Sequence, residues 1–372
     1  MHLKKKLIVG AVVSSLGGLL FGFDTAVISG AEQGLKAYFE LDNFAHGFTN
    51  SIALIGTIIG ALLAFLPAQQ LGRKKSLLFI GLFFGLSALG CGFTNDWYWF
   101  IFWRFLGGLG VGASSVIAPM YISEISPSTY RGRLVGLFQF SIVFGILLAF
   151  LSNYFLKIYI TLDSWRWMLG VEAIPAFIFF GLIFLIPKSP RWLILRKRFD
   201  EGLIILRELG DEKPETTLQN IKASLQQKVK KESLFQRKYF KPMILVFLMA
   251  TFNQFSGINA IMYYAPRIFE TAGIAKDSAF LQAASVGLVN MLFTILAMVY
   301  IDKVGRRKLM ILGSVGMILS LLVTTYFLNN PEQGGSFLIV PILFFIASFA
   351  FSQGAVIWVF ISEVFPNKVR AS

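Results

Sequence analysis

The chain has 372 residues, of which 56% are hydrophobic and only 15% charged, and its mean hydropathy is +0.68. A soluble domain carries roughly 25% charged residues, so this composition excludes an ordinary soluble enzyme and points to a membrane protein. The formal net charge of +14 is distributed like a topology signal, not like a nucleic-acid-binding face.

Ten apolar blocks follow one another, each of about 20 residues and so long enough to cross a bilayer. They lie near 7–29, 48–68, 77–94, 99–121, 134–156, 167–187, 242–265, 281–301, 309–328 and 337–364. Backbone groups in lipid must pair within their own segment, so each block is predicted to be a helix. Segments on one side of this pattern hold clusters such as Lys4–Lys6, Arg73–Lys75, Arg131, Arg133 and Arg306–Lys308. Loops on the other side hold only Lys36, Lys157, Arg166, Arg267 and Lys276. That asymmetry puts the N-terminus in the cytoplasm. The first block is too long for a signal-peptide core and is taken as the first membrane helix.

Block one carries Asp24 at mid-helix, within Gly17-Gly18-Leu19-Leu20-Phe21-Gly22-Phe23-Asp24. A carboxylate at that depth is costly unless paired or protonated, and Arg104 in block four is its natural partner. The pair reads either as a structural bridge between two helices or as a site whose proton affinity depends on Arg104. Gly108 and Gly112 form a small-xxx-small pair for close helix packing. Cys91 is the only cysteine, and His2 and His46 (the latter placed in an external loop) offer no ligand pair. No metal centre and no cofactor are expected. No phosphate loop or hydrolase elbow is present, which argues against a pump and against an enzyme.

The segment 188–241 interrupts the apolar pattern. Asp200-Glu201 opens a helix that Gly210 closes, and a second helix is predicted over Leu218–Val229. The expected organisation is a six-helix bundle over 1–187, a cytoplasmic helical linker over 188–241 and a four-helix bundle over 242–372. Block seven is rich in polar groups: Asn253, Gln254, Ser256, Asn259 and Tyr263. Four of these share one arc of an ideal helix, Gln254 falls off it, and Gly257 offers a place to unwind. Amides supply both donors and acceptors, which suits a hydroxyl-rich ligand without charge. Interhelical glue is the plainer reading, but it requires fewer groups.

The chain also repeats itself. Ile122-Ser123-Glu124-Ile125-Ser126-Pro127, with Arg131 beyond, recurs as Ile361-Ser362-Glu363-Val364-Phe365-Pro366, with Arg370 beyond. Gly72-Arg73-Lys74-Lys75 recurs as Gly305-Arg306-Arg307-Lys308 at nearly the same offset. A duplicated membrane bundle is how many secondary transporters are built. The first copy has two helices after its motif and the second has none, so six plus six helices and a truncated second half are expected.

These motifs, with Arg104-Phe105-Leu106-Gly107-Gly108-Leu109-Gly110-Val111-Gly112, Pro187-Lys188-Ser189-Pro190-Arg191-Trp192 and Asn253 through Tyr264, resemble the sugar porters of the major facilitator superfamily. The resemblance implies an all-α membrane protein of that fold, with two pseudo-symmetric bundles and alternating access. It implies a proton-coupled monosaccharide symporter in a plasma membrane, most simply a bacterial inner membrane. A facilitative uniporter and a non-transporting sugar sensor are the alternatives. Asp24 with Arg104 becomes the proton-coupling pair. The implied sugar-binding residues are Gln139, Gln254, Asn259, Asn290 and Trp358, with Phe21, Asn253 and Tyr263 lining the same cavity. Charged helix ends form the implied cytoplasmic gate: Arg73, Glu124, Arg131, Arg191, Asp302, Arg306, Glu363 and Arg370, pairing across the halves. The partners are a sugar, a proton and the lipid bilayer, with no nucleic acid, and the protein is expected to be a monomer. Two positions depart from the family pattern: Gln69-Gln70 replaces an Asp-Arg, and Lys188 replaces a Glu.

Overall fold

In the computed structural model the described residues are 4–127, 129–160, 162–226, 236, 239–271, 273–330 and 335–357, excluding the side chains of 225, 226, 276, 277, 302, 335 and 336. Among them ten helices or helix pairs are long and apolar enough to cross a membrane, matching the ten apolar blocks. The chain divides into two compact units, Met1–Gln226 and Gln227–Ser372.

The first unit is built on α1 (Lys5–Tyr38), a helix buried along most of its length. Around it come α2 (Asn43–Leu63), α3 (Phe65–Gln70), α4 (Arg73–Phe93), α5 (Trp97–Ile125), α6 (Arg131–Tyr159), α7 (Ser164–Gly170) and α8 (Ala173–Leu182). Prolines punctuate two of the crossings. Pro67 lacks the N–H that would bond the carbonyl of Leu63, and the helix divides there into α2 and α3. Pro175 does the same to Val171, which accepts a shorter bond from Ile174 and separates α7 from α8. Against α1 pack α5, α6, α7 and α8, while α2 and α4 both lie on α5. The interior between them is filled by Leu20, Phe84, Ile117, Tyr121, Phe138 and Phe179 among others.

Close approach needs glycine where backbones meet. A Cβ on Gly108 or Gly112 of α5 would collide with the carbonyls of Ala53 and Thr57 on α2. Reciprocally, a Cβ on Gly56 or Gly60 of α2 would strike the carbonyls of Phe105 and Leu109. The small-xxx-small reading of α5 therefore has a matching pair on the partner helix, as close membrane packing requires.

Three shorter helices close the first unit: α9 (Pro190–Leu195), α10 (Phe199–Leu209) and α11 (Pro214–Gln226). Gly210, left-handed at φ 89°, ends α10. Trp192 donates from its indole to the carbonyl of Gln69, and Arg196 donates to those of Gln69 and Gln70. The unusual glutamines thus present their backbone, not their side chains, to the linker. At the other end of the segment Lys4 donates to Arg207 O, and Lys6 pairs with Glu208 at 2.8 Å.

The second unit contains α12 (Phe240–Phe255), α13 (Ile258–Thr271), α14 (Lys276–Val304), α15 (Arg306–Asn329) and α16 (Ile339–Phe351). Gly257, at φ +85°, breaks the seventh crossing between α12 and α13. The last crossing breaks at Ser352. Within the unit α16 lies against α14 and α15, and α13 against α14.

The internal repeat is visible in local geometry. Gly72 and Gly305 precede α4 and α15 with φ of 83° and 90°. Arg73 Nη1 donates to Ala68 O and Arg306 Nη1 to Ile301 O, in each copy the carbonyl five residues back.

A direct test follows from the α2–α5 seam. Gly112→Val should destabilise the first unit by about 1–3 kcal/mol, the usual cost of overpacking. Gly132→Ala, whose Cβ would meet nothing within 4 Å, should not. Thermal melting in detergent with equal midpoints for both variants would refute the packing account.

Candidate functional site

Asp24 and Arg104 are each only 3% exposed. Arg104 Nη1 donates to Asp24 Oδ1 at 2.6 Å, joining α1 to α5 inside the first unit. Gly107, one turn beyond Arg104, lies beside the pair: a Cβ there would touch Asp24 Oδ1 at an ordinary 3.7 Å and would clash with Ser87 Oγ. The sequence reading paired these two residues, but it missed a third. Glu172, also 3% exposed, stands at the N-cap of α8, where the Pro175 break turns it inward. It lies in the same buried neighbourhood as Asp24 and Arg104, and its Oε1 has no hydrogen-bond partner. The signal that could have found it was an acidic residue inside an apolar block, three residues before a proline.

Two carboxyls beside one guanidinium balance its charge only when one of them holds a proton. An arrangement that also lets Arg104 engage or withdraw changes the proton affinity of the carboxyls, because a nearby opposite charge favours their ionised form.

The polar residues of the seventh crossing sit on either side of its break. Asn253, at the end of α12, is buried, and so is Tyr263 on α13. Gln254 is exposed, and Asn259 Nδ2 donates to its Oε1 at 2.8 Å across the Gly257 break. The break therefore unites Gln254, which falls off the arc in a continuous helix, with Asn259. Asn290 and Thr294 are buried one turn apart on α14. In the first unit Gln139 is half-buried on α6, and Phe21 packs at the edge of the apolar core. Trp358 lies outside the described residues.

The charged helix ends of the first unit carry pairs within that unit. Glu124 is held inside its own unit: Arg73 Nη2 donates to its Oε1 at 2.7 Å and Ser189 Oγ to its Oε2 at 2.6 Å. The reason is local, since the start of α4 and the end of α5 emerge at the same end of the bundle, where the linker begins. Arg131 donates to the carbonyl of Ser123 at 3.1 Å, and Arg191 is exposed. Arg306 bonds Ile301 O, as described above. The side chain of Asp302, and Glu363 and Arg370 entirely, lie outside the described residues. Lys188, the charge reversal, lies 3.7 Å from Glu201 on α10, which supplies the negative partner.

One further expectation is corrected. His46 is not in a loop. Asp42 caps α2 by accepting from Ala45 N, so the helix starts at Asn43 and buries His46 in its first turn.

Comparison with known proteins follows the same lines. A family profile described as "Sugar (and other) transporter" matches residues 10–372. The D-xylose-proton symporter of Escherichia coli is 37% identical over 393 residues, spanning 96% of this chain and 79% of that protein. The arabinose-proton symporter of Bacillus subtilis is 37% identical over 374 residues, covering 98% and 80% respectively. The xylose transporter XylE from E. coli, solved in a partially occluded inward-open conformation, superposes with a TM-score of 0.86 at 34% identity. That superposition covers 99% of this chain and 89% of XylE.

The linker carries a pH test of its own. Arg198, bonded to Glu201 with Lys188 beside it, holds the Glu201 carboxyl below the usual carboxylate range. A carboxyl held low stabilises while ionised, so its contribution is complete above the ordinary glutamate value of about 4.3 and is lost as pH falls through the lowered value. The opening of α10, read as hydrogen exchange corrected for its intrinsic pH dependence, should therefore be flat from neutral pH down to about 5 and rise in stronger acid. Glu201→Gln should abolish that acid-dependent rise, and its persistence in the variant would refute the assignment.

Proposed function

Because the chain belongs to the sugar transporter family of the major facilitator superfamily, we propose that it carries a monosaccharide across the plasma membrane together with a proton, by alternating access. The observation that carries this reading is the buried cluster of Asp24, Arg104 and Glu172. A coupled carrier needs a group that takes up a proton in one state and releases it in another. The named substrates of the relatives, xylose and arabinose, support a pentose or hexose as cargo.

Asp24 takes the proton, Arg104 sets its affinity, and Glu172 adds a second buried carboxyl to the cluster. Gln254 and Asn259 present a bonded amide pair at the helix break, with the N–H and C=O groups that sugar hydroxyls need. Gln139, Asn253, Tyr263 and Asn290 supply further polar contacts, and Phe21 and Trp358 offer apolar faces. Arg73, Glu124 and Arg131 fix the cytoplasmic ends of the first bundle, and Arg191, Asp302, Arg306, Glu363 and Arg370 act at the same face. The chain works as a monomer in the bilayer, its N-terminus is cytoplasmic, and it makes no covalent change in its cargo. Lysine and arginine clusters at one set of helix ends support this orientation.

In transport-competent protein in liposomes, Asp24→Asn should abolish uphill sugar accumulation driven by a proton gradient and leave sugar exchange intact. Accumulation at the wild-type rate would reduce Asp24 to a structural role and favour the uniporter.

Sugar binding tests the second site. Gln254→Ala and Asn259→Ala should each weaken binding by about 1–3 kcal/mol, the cost of leaving a polar partner unsatisfied. Calorimetry that finds both affinities unchanged would remove the α12–α13 break from the binding site.

A further inference from the structure

Helix α1 holds a second buried carboxylate that the symport reading leaves unused. Glu32 is 1% exposed, and His46 of α2 is 4% exposed. His46 Nε2 lies 2.9 Å from Glu32 Oε2 and 3.1 Å from Glu32 O. Facing a carboxylate oxygen and a carbonyl oxygen, Nε2 is placed to donate when it carries a hydrogen. The amide of Asn50, one turn further along α2, approaches the same nitrogen at 3.4 Å. Glu32 lies eight residues beyond Asp24, about 12 Å along the helix, which is too far for the two carboxylates to bond directly.

The other charged groups at this end of the first unit have stated partners or stand at helix ends. On α1, Lys36 donates to Asn43 Oδ1. Asp42 caps α2 and Asp96 caps α5. From α7, Arg166 donates to the carbonyls of Gly92 and Thr94. Lys157 sits in the last turn of α6, and Asp163 precedes α7. Histidine is the side chain whose charge ordinarily changes between about pH 5 and 8. A proton taken up here converts a dipole beside a carboxylate into a closed ion pair across the α1–α2 joint, in a site that excludes water and so strengthens the difference.

We propose that Glu32 and His46 form a second proton-binding site, separate from Asp24, through which acidity at the outer face adjusts the α1–α2 joint and the rate of sugar exchange. The inference rests on the transport reading for the exchange that the site adjusts and for the side of the membrane that the pair faces. The ligand is the proton itself.

The chain has two histidines, His2 and His46, so His2→Ala leaves His46 as the sole imidazole. In that protein, labelled with 15N-histidine and held in nanodiscs, the ring signal should convert between its neutral and cationic patterns between about pH 5 and 8. Glu32→Gln should move the midpoint of that conversion. In liposomes, sugar exchange should show a step as outer pH crosses the same window, and the step should be lost in His46→Gln. A ring signal that keeps one protonation state throughout, a midpoint unmoved by Glu32→Gln, or a step that survives His46→Gln would overturn the proposal. If His46→Gln does not fold, the titration of the unaltered ring decides alone. Coupling by Asp24 is read separately from uphill accumulation, so failure of one assignment leaves the other standing.

Discussion

An ion pair sealed inside a lipid-embedded bundle constrains everything around it. Removing a carboxylate and a guanidinium from water is costly, and only excellent geometry with further hydrogen bonds compensates. Asp24 and Arg104 meet that demand with a short direct contact. The surrounding architecture serves the contact: α1 runs through the middle of the first unit, Gly107 of α5 lies beside the pair, and the Pro175 break delivers Glu172 to the same spot. Breaking such a pair on one side typically costs about 3–5 kcal/mol. An arrangement that expensive to disturb is also well suited to a switch, because a change in one partner is felt by the other.

Helix packing in lipid cannot rely on the hydrophobic effect, since a neighbouring helix is no more apolar than a lipid tail. The seam between α2 and α5 depends on glycine pairs on both helices, and α1 approaches α6 through Gly18 and Gly22, where a Cβ would strike Phe138 O and Ile142 O. Dispersion and close backbone approach supply the attraction there. At the end of the bundle where Glu124 lies the chemistry changes to charge and backbone capping. Glu124 gathers Arg73 and Ser189, Lys74 donates to the carbonyls of Phe184 and Ile186, and Trp192 with Arg196 closes the end of α3. The linker helices are thereby fastened to the first bundle by directional bonds, which position the charged helix ends with more precision than apolar contact provides.

What the sequence determined by itself is what depends on local or periodic chemistry. Ten long apolar blocks could only be helices, because lipid offers no partners for an open backbone. The helix break at Gly257 and the end of α10 at Gly210 follow from a residue that tolerates positive φ. The Asp24–Arg104 pair was legible because two charges in apolar surroundings must find each other. Tertiary structure alone decided the rest. Glu172 joined the cluster through a proline break whose direction no pattern encodes. His46 moved from a supposed loop into a buried pair because the Asp42 cap started α2 earlier than the hydropathy did. Glu124 meets Arg73 and Ser189 because helix ends that emerge together in space need not be near in sequence. In each case the missing information was which groups share a small volume, and that is fixed by packing of the whole unit, not by any single helix.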